Sequence, residues 1–319
     1  MHALEAAAFA AEDSTQDFAG ALLAGLHAQP KRVPCKFLYD AEGSALFERI
    51  CELPEYYPTR TEMALLGEHA AEFARYMGPD VELIEFGAGS GRKASMLLDV
   101  LERPRLYMPI DISPDAVAAA AGTVWHAFPH LKVVPLEADY TGPLALGPQR
   151  GQRRVGFFPG STIGNFPPDE ALAFLRRLAE LLRGGGLLIG VDLVKDPAVL
   201  HAAYNDAAGV TAAFNRNLLA RANRELEADF LLDRFAHYAF YQPVARRVEM
   251  HLVSLVQQQV HVRGQTISFA AGETLHTEDS YKYSVLGFHS LAAQAGFLPR
   301  ATRVDPQHRF SLHWLEVPA

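Results

Sequence analysis

The chain has 319 residues, 49% of them apolar, and 29 basic against 37 acidic side chains give a net charge of −8. That length suffices for about two domains with sizeable cores, and an acidic balance without a long basic run argues against nucleic acid as the main partner. The two cysteines, Cys35 and Cys51, build neither a zinc set nor a disulfide framework; with no apolar run of the roughly 18 residues a membrane span needs and an acid-interrupted N-terminus unlike a signal peptide, the expectation is a cytoplasmic protein with no membrane partner.

Residues 1–13 are expected to be flexible. Residues 14–27 read as a helix with a Ser/Thr start, stopped by Pro30 and Pro34. Gly43-Ser44 opens a short helix carrying Leu46, Phe47 and Ile50. In Leu53-Pro-Glu-Tyr-Tyr-Pro-Thr-Arg-Thr-Glu62 two prolines bracket two tyrosines, which predicts a rigid loop, with Thr61 capping the helix that follows.

The chain is organised around Ile84-Glu85-Phe86-Gly87-Ala88-Gly89-Ser90-Gly91-Arg92-Lys93. A short apolar strand precedes the glycines. A helical pattern follows, with Met96, Leu97, Val100 and Leu101 on one face. Glycine lets such a strand-to-helix turn take positive φ and lets a ligand approach the main chain. A dinucleotide site wants G-x-G-x-x-G with a diphosphate on the helix start. Here the spacing is acidic-x-G-x-G-x-G, and Arg92 stands in place of the third dinucleotide glycine. The spacing resembles motif I of class I S-adenosylmethionine-dependent methyltransferases, whose sulfonium ligand suits a nearby acid.

Downstream, Leu106 to Asp111 reads as a strand ending in an acid, and Ser113-Pro114 starts an Ala-rich helix. Asp111 lies about 20 residues past the glycines, where a strand-end carboxylate takes ribose hydroxyls. Leu131 to Tyr140 reads as a third strand, again ending in an acid, Asp139. Taken singly, each acid is equally readable as a helix cap. Val155–Phe158 is a buried-type strand leading into Gly160-Ser-Thr-Ile-Gly-Asn165, and a helix through Leu172, Phe174, Leu175 and Leu178 follows. Leu187–Leu193 is a fifth strand. This alternation from about 80 to 195 predicts an α/β fold with a parallel, doubly wound Rossmann-like sheet.

The pattern then changes. Residues 198–221 are mainly helical, and Val248, Met250 and Leu252 alternate as in a strand. Arg263-Gly-Gln265 marks a hairpin. Ser284–Ala295 is a helix, and Thr302–Val304 and Phe310–Val317 are closing strands. The expected division is 62–195 plus 284–319 as a donor-binding domain, and 14–61 plus 196–283 as a mixed α+β substrate-binding domain.

Phe37-Leu-Tyr39-Asp40, Gly43-Ser-x-Leu46-Phe47 and Leu53-Pro-Glu-Tyr-Tyr57-Pro-Thr-Arg60-Thr-Glu62 resemble the histidine-specific Nα-methyltransferase family, whose members include the enzyme that makes the betaine of histidine in ergothioneine biosynthesis. The Gly160–Asn165 block matches too, and the resemblance runs from about residue 33 to 317. It implies S-adenosylmethionine as methyl donor and a small-molecule amino acid, L-histidine, as substrate, methylated three times on its α-amine. It further implies that Gly87, Gly89 and Lys93 hold the methionine end of the donor, Asp111 the ribose, and Asp139 with Tyr140 the adenine. Asn165 and Tyr204 take the substrate's carboxylate end. Tyr57, Glu278 and Ser280 read the imidazole, Met250 packs on it, and Tyr39 lies near the amine. On chemistry alone, the paired tyrosines read equally as packed anchors, Asn165 as a loop stabiliser, Glu278 and Ser280 as ordinary strand residues and Met250 as core.

One departure stands out. The segment reads Glu278-Asp-Ser280-Tyr-Lys282-Tyr, where the actinobacterial form has Val between Glu and Ser and Cys after Ser. The Glu–Ser spacing is kept. Competing readings are another amino acid such as tryptophan or tyrosine as substrate, a non-catalytic donor-binding protein, and a macromolecular methyltransferase. The 13 histidines contain no H-x-x-H or H-E-x-x-H pair, so no metal is expected. A monomer is expected.

Overall fold

The computed structural model describes residues 14–149 and 153–319; the expectation for residues 1–13 lies outside them. In chain order, helix α1 (Ser14–His27) buries Phe18, Leu22 and Leu26, one residue every turn or so. Strand β1 (Lys31–Arg32) and a 3₁₀ turn (Cys35–Leu38) lead to α2 (Ala41–Glu52). This helix starts ahead of Gly43 because Asp40 is its N-cap, accepting from the Gly43 amide at 2.8 Å. Gly43 is needed there, since a Cβ would sit 1.8 Å from the Leu38 carbonyl oxygen. Helix α3 (Tyr57–Met77) begins at Tyr57. The rigid loop predicted to run to Glu62 is therefore helix from Tyr57 onward, with Pro58 in the first turn, where its missing N–H costs nothing.

Strand β2 (Val81–Phe86) and α4 (Arg92–Leu98) flank the glycine turn, and β3 (Leu106–Asp111) and α5 (Pro114–Ala127) follow. Helix α4 is shorter than its pattern suggests. Leu97, Leu98 and Leu101 are buried, but Val100 turns outward. The predicted third strand is split into β4 (Lys132–Val133) and β5 (Leu136–Glu137). Pro135 between them has no N–H to give the ladder. Next come β6 (Arg153–Phe158), a 3₁₀ turn (Thr162–Asn165), α6 (Pro168–Leu181), β7 (Gly186–Asp192), α7 (Pro197–Tyr204) and α8 (Val210–Glu225).

Strand β8 (Phe235–Gln242) was not signalled by the sequence pattern. Strands β9 (Arg247–Ser254), β10 (Gln258–Val262), β11 (Gln265–Phe269) and β12 (Thr274–Tyr281) follow, then α9 (Val285–Gln294), β13 (Leu298–Val304) and β14 (Phe310–Glu316). The β10–β11 hairpin turns on Arg263-Gly264, both with positive φ, as a two-residue turn requires.

The chain divides into two compact units. One is Pro58–Val194 with Lys282–Ala319, and the other is the described residues up to Tyr57 with Lys195–Tyr281. The first unit is a sheet in the order β13-β14-β7-β6-β2-β3-β4, with β5 also on β3. Strands β4, β5, β3, β2, β6 and β7 run parallel, and β14 and β13 close the edge antiparallel. This is the expected doubly wound α/β architecture. Both faces are covered, so β2 and β7 are buried at every position. Ile84, Phe86, Met108, Ile110 and Ile189 fill one face with α6 and α9 residues, and Leu83, Tyr107, Phe157, Leu188 and Trp314 fill the other.

The second unit has a four-stranded sheet, β1-β12-β9-β8, and the separate β10–β11 pair. Helices α1, α2, α7 and α8 supply the rest of its core, with Phe214, Leu218, Val248, Met250, Leu252 and Leu275 among the buried side chains. The ladder between β9 and β12 carries a bulge between His276 and Glu278, so Leu275 opposes Leu252 and Glu278 opposes Met250.

In the first unit, Lys282 Nζ pairs with Asp192 Oδ2 at 2.9 Å, both side chains 1% exposed. Removing one partner takes this ion pair from a buried charge, which is far more costly than removing both. Lys282→Met is expected to lower stability by about 3–5 kcal/mol, measured by urea unfolding followed by the fluorescence of buried Trp314. The Asp192→Leu/Lys282→Met double variant is expected to regain most of that loss.

Candidate donor and acceptor sites

The glycine turn sits at the carboxyl end of β2. Gly87 has φ +74° and Gly91 φ +72°. The amides of Gly87 and Ala88 both donate to the Ile110 carbonyl, at 2.9 and 3.1 Å, which ties the turn to β3. A Cβ on Gly91 would come within 2.8 Å of the Ala120 carbonyl oxygen on α5, and one on Gly87 within 3.4 Å of the Tyr140 hydroxyl. The first glycine thus permits helix packing, and the second keeps the space beside the Tyr140 ring open. Gly89 is exposed at the tip.

Four ionisable side chains gather around this turn. Lys93 Nζ lies 2.5 Å from Glu62 Oε2. Glu62 is fully buried, and its two oxygens accept from the Gly160 amide at 3.0 and 2.9 Å. Sequence reasoning gave Glu62 no role, because it is one of three glutamates in α3; its bonds to Lys93 and Gly160 reveal it. Glu85 accepts a hydrogen bond from the buried Tyr107 hydroxyl. Burial pushes the Glu85 carboxyl up to about 7, against the pull of Tyr107 and Lys93, and Glu62 and Asp111 push the same way as burial. Burial likewise raises Asp111 to about 6, although the Ser113 and Ile112 amides favour its ionised form.

Asp111 ends β3, and its Oδ1 accepts from the Ser113 amide at 2.9 Å. The cap of α5 is Ser113, accepting from the Ala116 amide at 3.3 Å, so Asp111 is not spent as a helix cap. Asp139 likewise caps no helix; its Oδ1 accepts from the Thr141 amide at 2.9 Å and the Thr141 hydroxyl at 2.5 Å. The neighbouring Tyr140 ring packs edge-on against Phe86 and Phe158. Asn165 is half-buried and ends the 3₁₀ turn that follows Ser161, a left-handed residue at φ +59°. The structure thus brings Gly87, Lys93 and Asp111 to adjacent strand ends of one sheet, where open α/β sheets bind their ligands. These groups fit a donor with an amino acid end and a ribose.

The remaining candidates lie in the second unit. Met250 is buried at the centre of β9, opposite Glu278 on one side and Ala239 on the other. Glu278 is 9% exposed. Ser280, two residues on, accepts from the Tyr204 hydroxyl at 2.8 Å. Tyr39 is half-buried, and its ring meets Phe47 and Phe214 edge-on at 5.5 and 5.3 Å. The Tyr57 ring is buried and carries the Lys195 ammonium 4.7 Å from its centroid. Asp40, next to Tyr39, is structural: besides capping α2 it accepts from Asn217 Nδ2 at 2.6 Å and pairs with Arg224.

Three supporting residues escaped the sequence reading. The Thr277 hydroxyl donates to Asn215 Oδ1 at 2.7 Å. Asn215 Nδ2 reaches His237 Nδ1 at 3.0 Å and the His251 carbonyl at 3.1 Å. His237 Nε2 meets the Tyr204 carbonyl at 2.8 Å. Burial lowers the His237 pKa, so the ring is neutral, with Nε2 donating to Tyr204 and Nδ1 accepting from Asn215. This chain links the bulge that sets Glu278 to the helix end that sets Tyr204. Histidine spacing gives no metal set, yet the sheet also gathers Glu249, His251 and His276. No helix among the described residues is long and apolar enough to cross a membrane.

Comparison with known proteins agrees with these features. Residues 18–317 match the family described as histidine-specific methyltransferase, SAM-dependent. The chain is 41% identical over 309 residues to the histidine N-alpha-methyltransferase of Mycolicibacterium smegmatis, covering 95% of this chain and 96% of that one. It is 42% identical over 278 residues to the protein of that name from Mycobacterium tuberculosis, covering 85% and 86%. It is 29% identical over 307 residues to ergothioneine biosynthesis protein 1 of Neurospora crassa, covering 90% of this chain and 33% of that one. With a match over nearly all of its described length, the chain belongs to the S-adenosylmethionine-dependent, histidine-specific methyltransferase family.

Proposed function

We propose that this chain methylates the α-amine of L-histidine with S-adenosylmethionine, three times in succession, to give the trimethylated betaine on the route to ergothioneine. The observation that carries the histidine reading is the inward face of β12, where Glu278 lies against Met250 and Ser280 is held by Tyr204. A neutral imidazole has one N–H donor and one bare acceptor nitrogen. Glu278 accepts from the first. Ser280, which accepts from Tyr204, is the hydroxyl suited to donate to the second. Met250 supplies a polarisable apolar wall.

The donor supplies an electrophilic methyl group; the amine lone pair forms the new N–C bond as the C–S bond breaks and its pair stays on sulfur. The protein's part is to bind, align and present a neutral amine. Lys93, fixed by Glu62, takes the donor's carboxylate beside Gly87 and Gly89; Asp111 takes its ribose, and Asp139 with Tyr140 its adenine. Asn165 and Tyr204 take the substrate's carboxylate, and Tyr57 flanks the ring. Tyr39 stands near the amine, where its aromatic face favours the methylated ammonium as it grows. One proton leaves to solvent before each of the three transfers, the first from the ammonium that histidine brings, as desolvation in the pocket lowers the amine's pKa. The acidic balance of the chain goes with a small-molecule substrate and against nucleic acid, and the reading includes a monomer in the cytoplasm.

Three tests follow. Incubation with S-adenosylmethionine and each of the twenty amino acids in turn is expected to add up to three methyl groups to histidine alone by mass spectrometry; methylation of another amino acid would move the substrate assignment and leave the donor site standing. Glu278→Gln is expected to lower kcat/KM for histidine about 10- to 100-fold, the worth of one charge-assisted hydrogen bond, while calorimetry finds donor affinity unchanged. Asp111 must be ionised to accept from the ribose hydroxyls, and its ligand-free carboxyl titrates near 6. Donor affinity is therefore expected to be constant above about pH 7 and to fall about tenfold per unit below pH 6. Asp111→Asn is expected to remove that step and weaken the donor at neutral pH.

A further inference from the structure

The four-stranded sheet of the second unit has an outward face as well as the one that carries Met250 and Glu278. Across β9 and β12 the outward pairs are Arg247 with Tyr281, Glu249 with Asp279, and His251 with His276. Two imidazoles and two carboxylates thus occupy neighbouring positions on adjacent strands. One donor atom from each of Glu249, His251 and His276 lies within 4.8 Å of the others. The side chains are sheltered, at 12% exposure for Glu249 and His251 and 15% for His276.

The arrangement has further features of a metal site. His251 Nε2 and Glu249 Oε2 are 3.1 Å apart. Two donors on a tetrahedral zinc with bonds of about 2.0–2.1 Å are separated by about 3.3 Å. The other oxygen of Glu249, Oε1, is taken by Arg247 at 2.8 Å, so the guanidinium turns Oε2 toward the histidines, as outer-shell partners orient ligating carboxylates. His276 is held through the Glu278 carbonyl at 3.0 Å and Asp279 Oδ1 at 3.1 Å. The His251 ring lies between His276 at 4.8 Å and Phe240 at 5.5 Å, both stacked on it. Its Nδ1 is buried and has no hydrogen-bond partner, so the ring is aligned by stacking and by Glu249. With neutral imidazoles, Glu249, Asp279 and Arg247 leave a net charge of −1, which a divalent cation reverses.

We propose that Glu249, His251 and His276 bind one divalent transition metal of the zinc class, with His276 drawn toward the His251–Glu249 pair. Two imidazole nitrogens and one carboxylate oxygen suit zinc, cobalt or nickel and are too poor in oxygen for magnesium or calcium. The metal bridges β9 and β12 and braces, from behind, the strand pair that carries Met250 and Glu278. It sits on the face opposite those residues and takes no part in methyl transfer. The proposal stands whether or not histidine is the substrate.

The test is calorimetric titration of the untagged full chain with zinc chloride and, separately, with cobalt chloride, whose visible bands report a four-coordinate site. One zinc per chain is expected, together with a higher Tm. Affinity is expected to drop about a hundredfold or more in His251→Gln and in His276→Gln, and to be unchanged in His261→Gln, a histidine of the exposed His261–Asp229 pair. Glu249→Gln, which conserves shape, is expected to bind cobalt with an altered spectrum, and it serves if a histidine variant fails to fold. Absence of stoichiometric binding, binding that survives both histidine substitutions, or equal competition by magnesium overturns the proposal.

Discussion

Thr277 is one residue more than the β9–β12 ladder can pair, and the phase of β12 depends on where that residue sits. Alternation from the buried Leu275 would place residues 277, 279 and 281 inward. The extra residue shifts the count, so that Glu278 and Ser280 face inward beside Met250 and Val248, and His276 and Asp279 face outward. A bulge leaves its extra backbone groups without ladder partners and survives where the surroundings fix it. Here Thr277 is fixed by its bond to Asn215, a side chain with no exposure at the centre of α8, and Asn215 is fixed in turn by His237. The carboxylate expected to read the imidazole is thus placed by a hydroxyl, an amide and a neutral ring that need not touch the substrate.

The donor side rests on a different constraint. A parallel sheet covered on both faces can expose polar chemistry only at its strand ends. Glu62, Glu85 and Asp111 meet there with a single ammonium, that of Lys93. Burial is the main reason that the Glu85 carboxyl is pushed up to about 7 and that of Asp111 to about 6, and at Glu85 the neighbouring Glu62 and Asp111 carboxylates push the same way. A raised acid binds more protons folded than unfolded, so these two groups cost the ligand-free unit stability as pH rises from about 4 to 7. A ligand that brings its own positive charge relieves this imbalance; a diphosphate would aggravate it. That physical preference agrees with the spacing Gly87-x-Gly89-x-Gly91, which departs from the dinucleotide pattern at Arg92.

What was legible in the sequence was mainly what is local. Period and punctuation located β2, α5, α6, β7 and the closing hairpin, because buried parallel strands and capped helices write themselves in short windows. Two misreadings came from proline. Pro58 looked like a breaker and is a first-turn residue of α3, and Pro135 looked like part of a strand and divides it. Strand β8 escaped because its outward positions carry aromatic residues, Tyr238 and Phe240, while Ala239 faces inward, so no polar/apolar alternation survives. Of the site, the glycine turn and the strand-end acids could be argued from spacing. Glu62, Asn215, Thr277 and His237 could not, because each acts on residues tens of positions away, and nothing in their own neighbourhood marks them.

If histidine is the substrate as proposed, the Tyr204–Ser280 bond bears on selectivity more than on affinity. A site that merely offered Glu278 would accept any side chain with one N–H, an indole included. On that reading the Ser280 hydroxyl, which accepts from Tyr204 at 2.8 Å, is expected to donate to the bare ring nitrogen of an imidazole, where an indole presents only carbon. Leaving a buried donor unanswered costs about 1–3 kcal/mol, and sites built on such polar matching reject the mismatched analogue far more strongly than apolar pockets reject one methylene. Asp279 in place of an apolar residue does not disturb this logic. The bulge turns its side chain to the outward face, where Arg247 neutralises it at 3.0 Å, and the inward pair of Glu278 and Ser280 is the same with or without it.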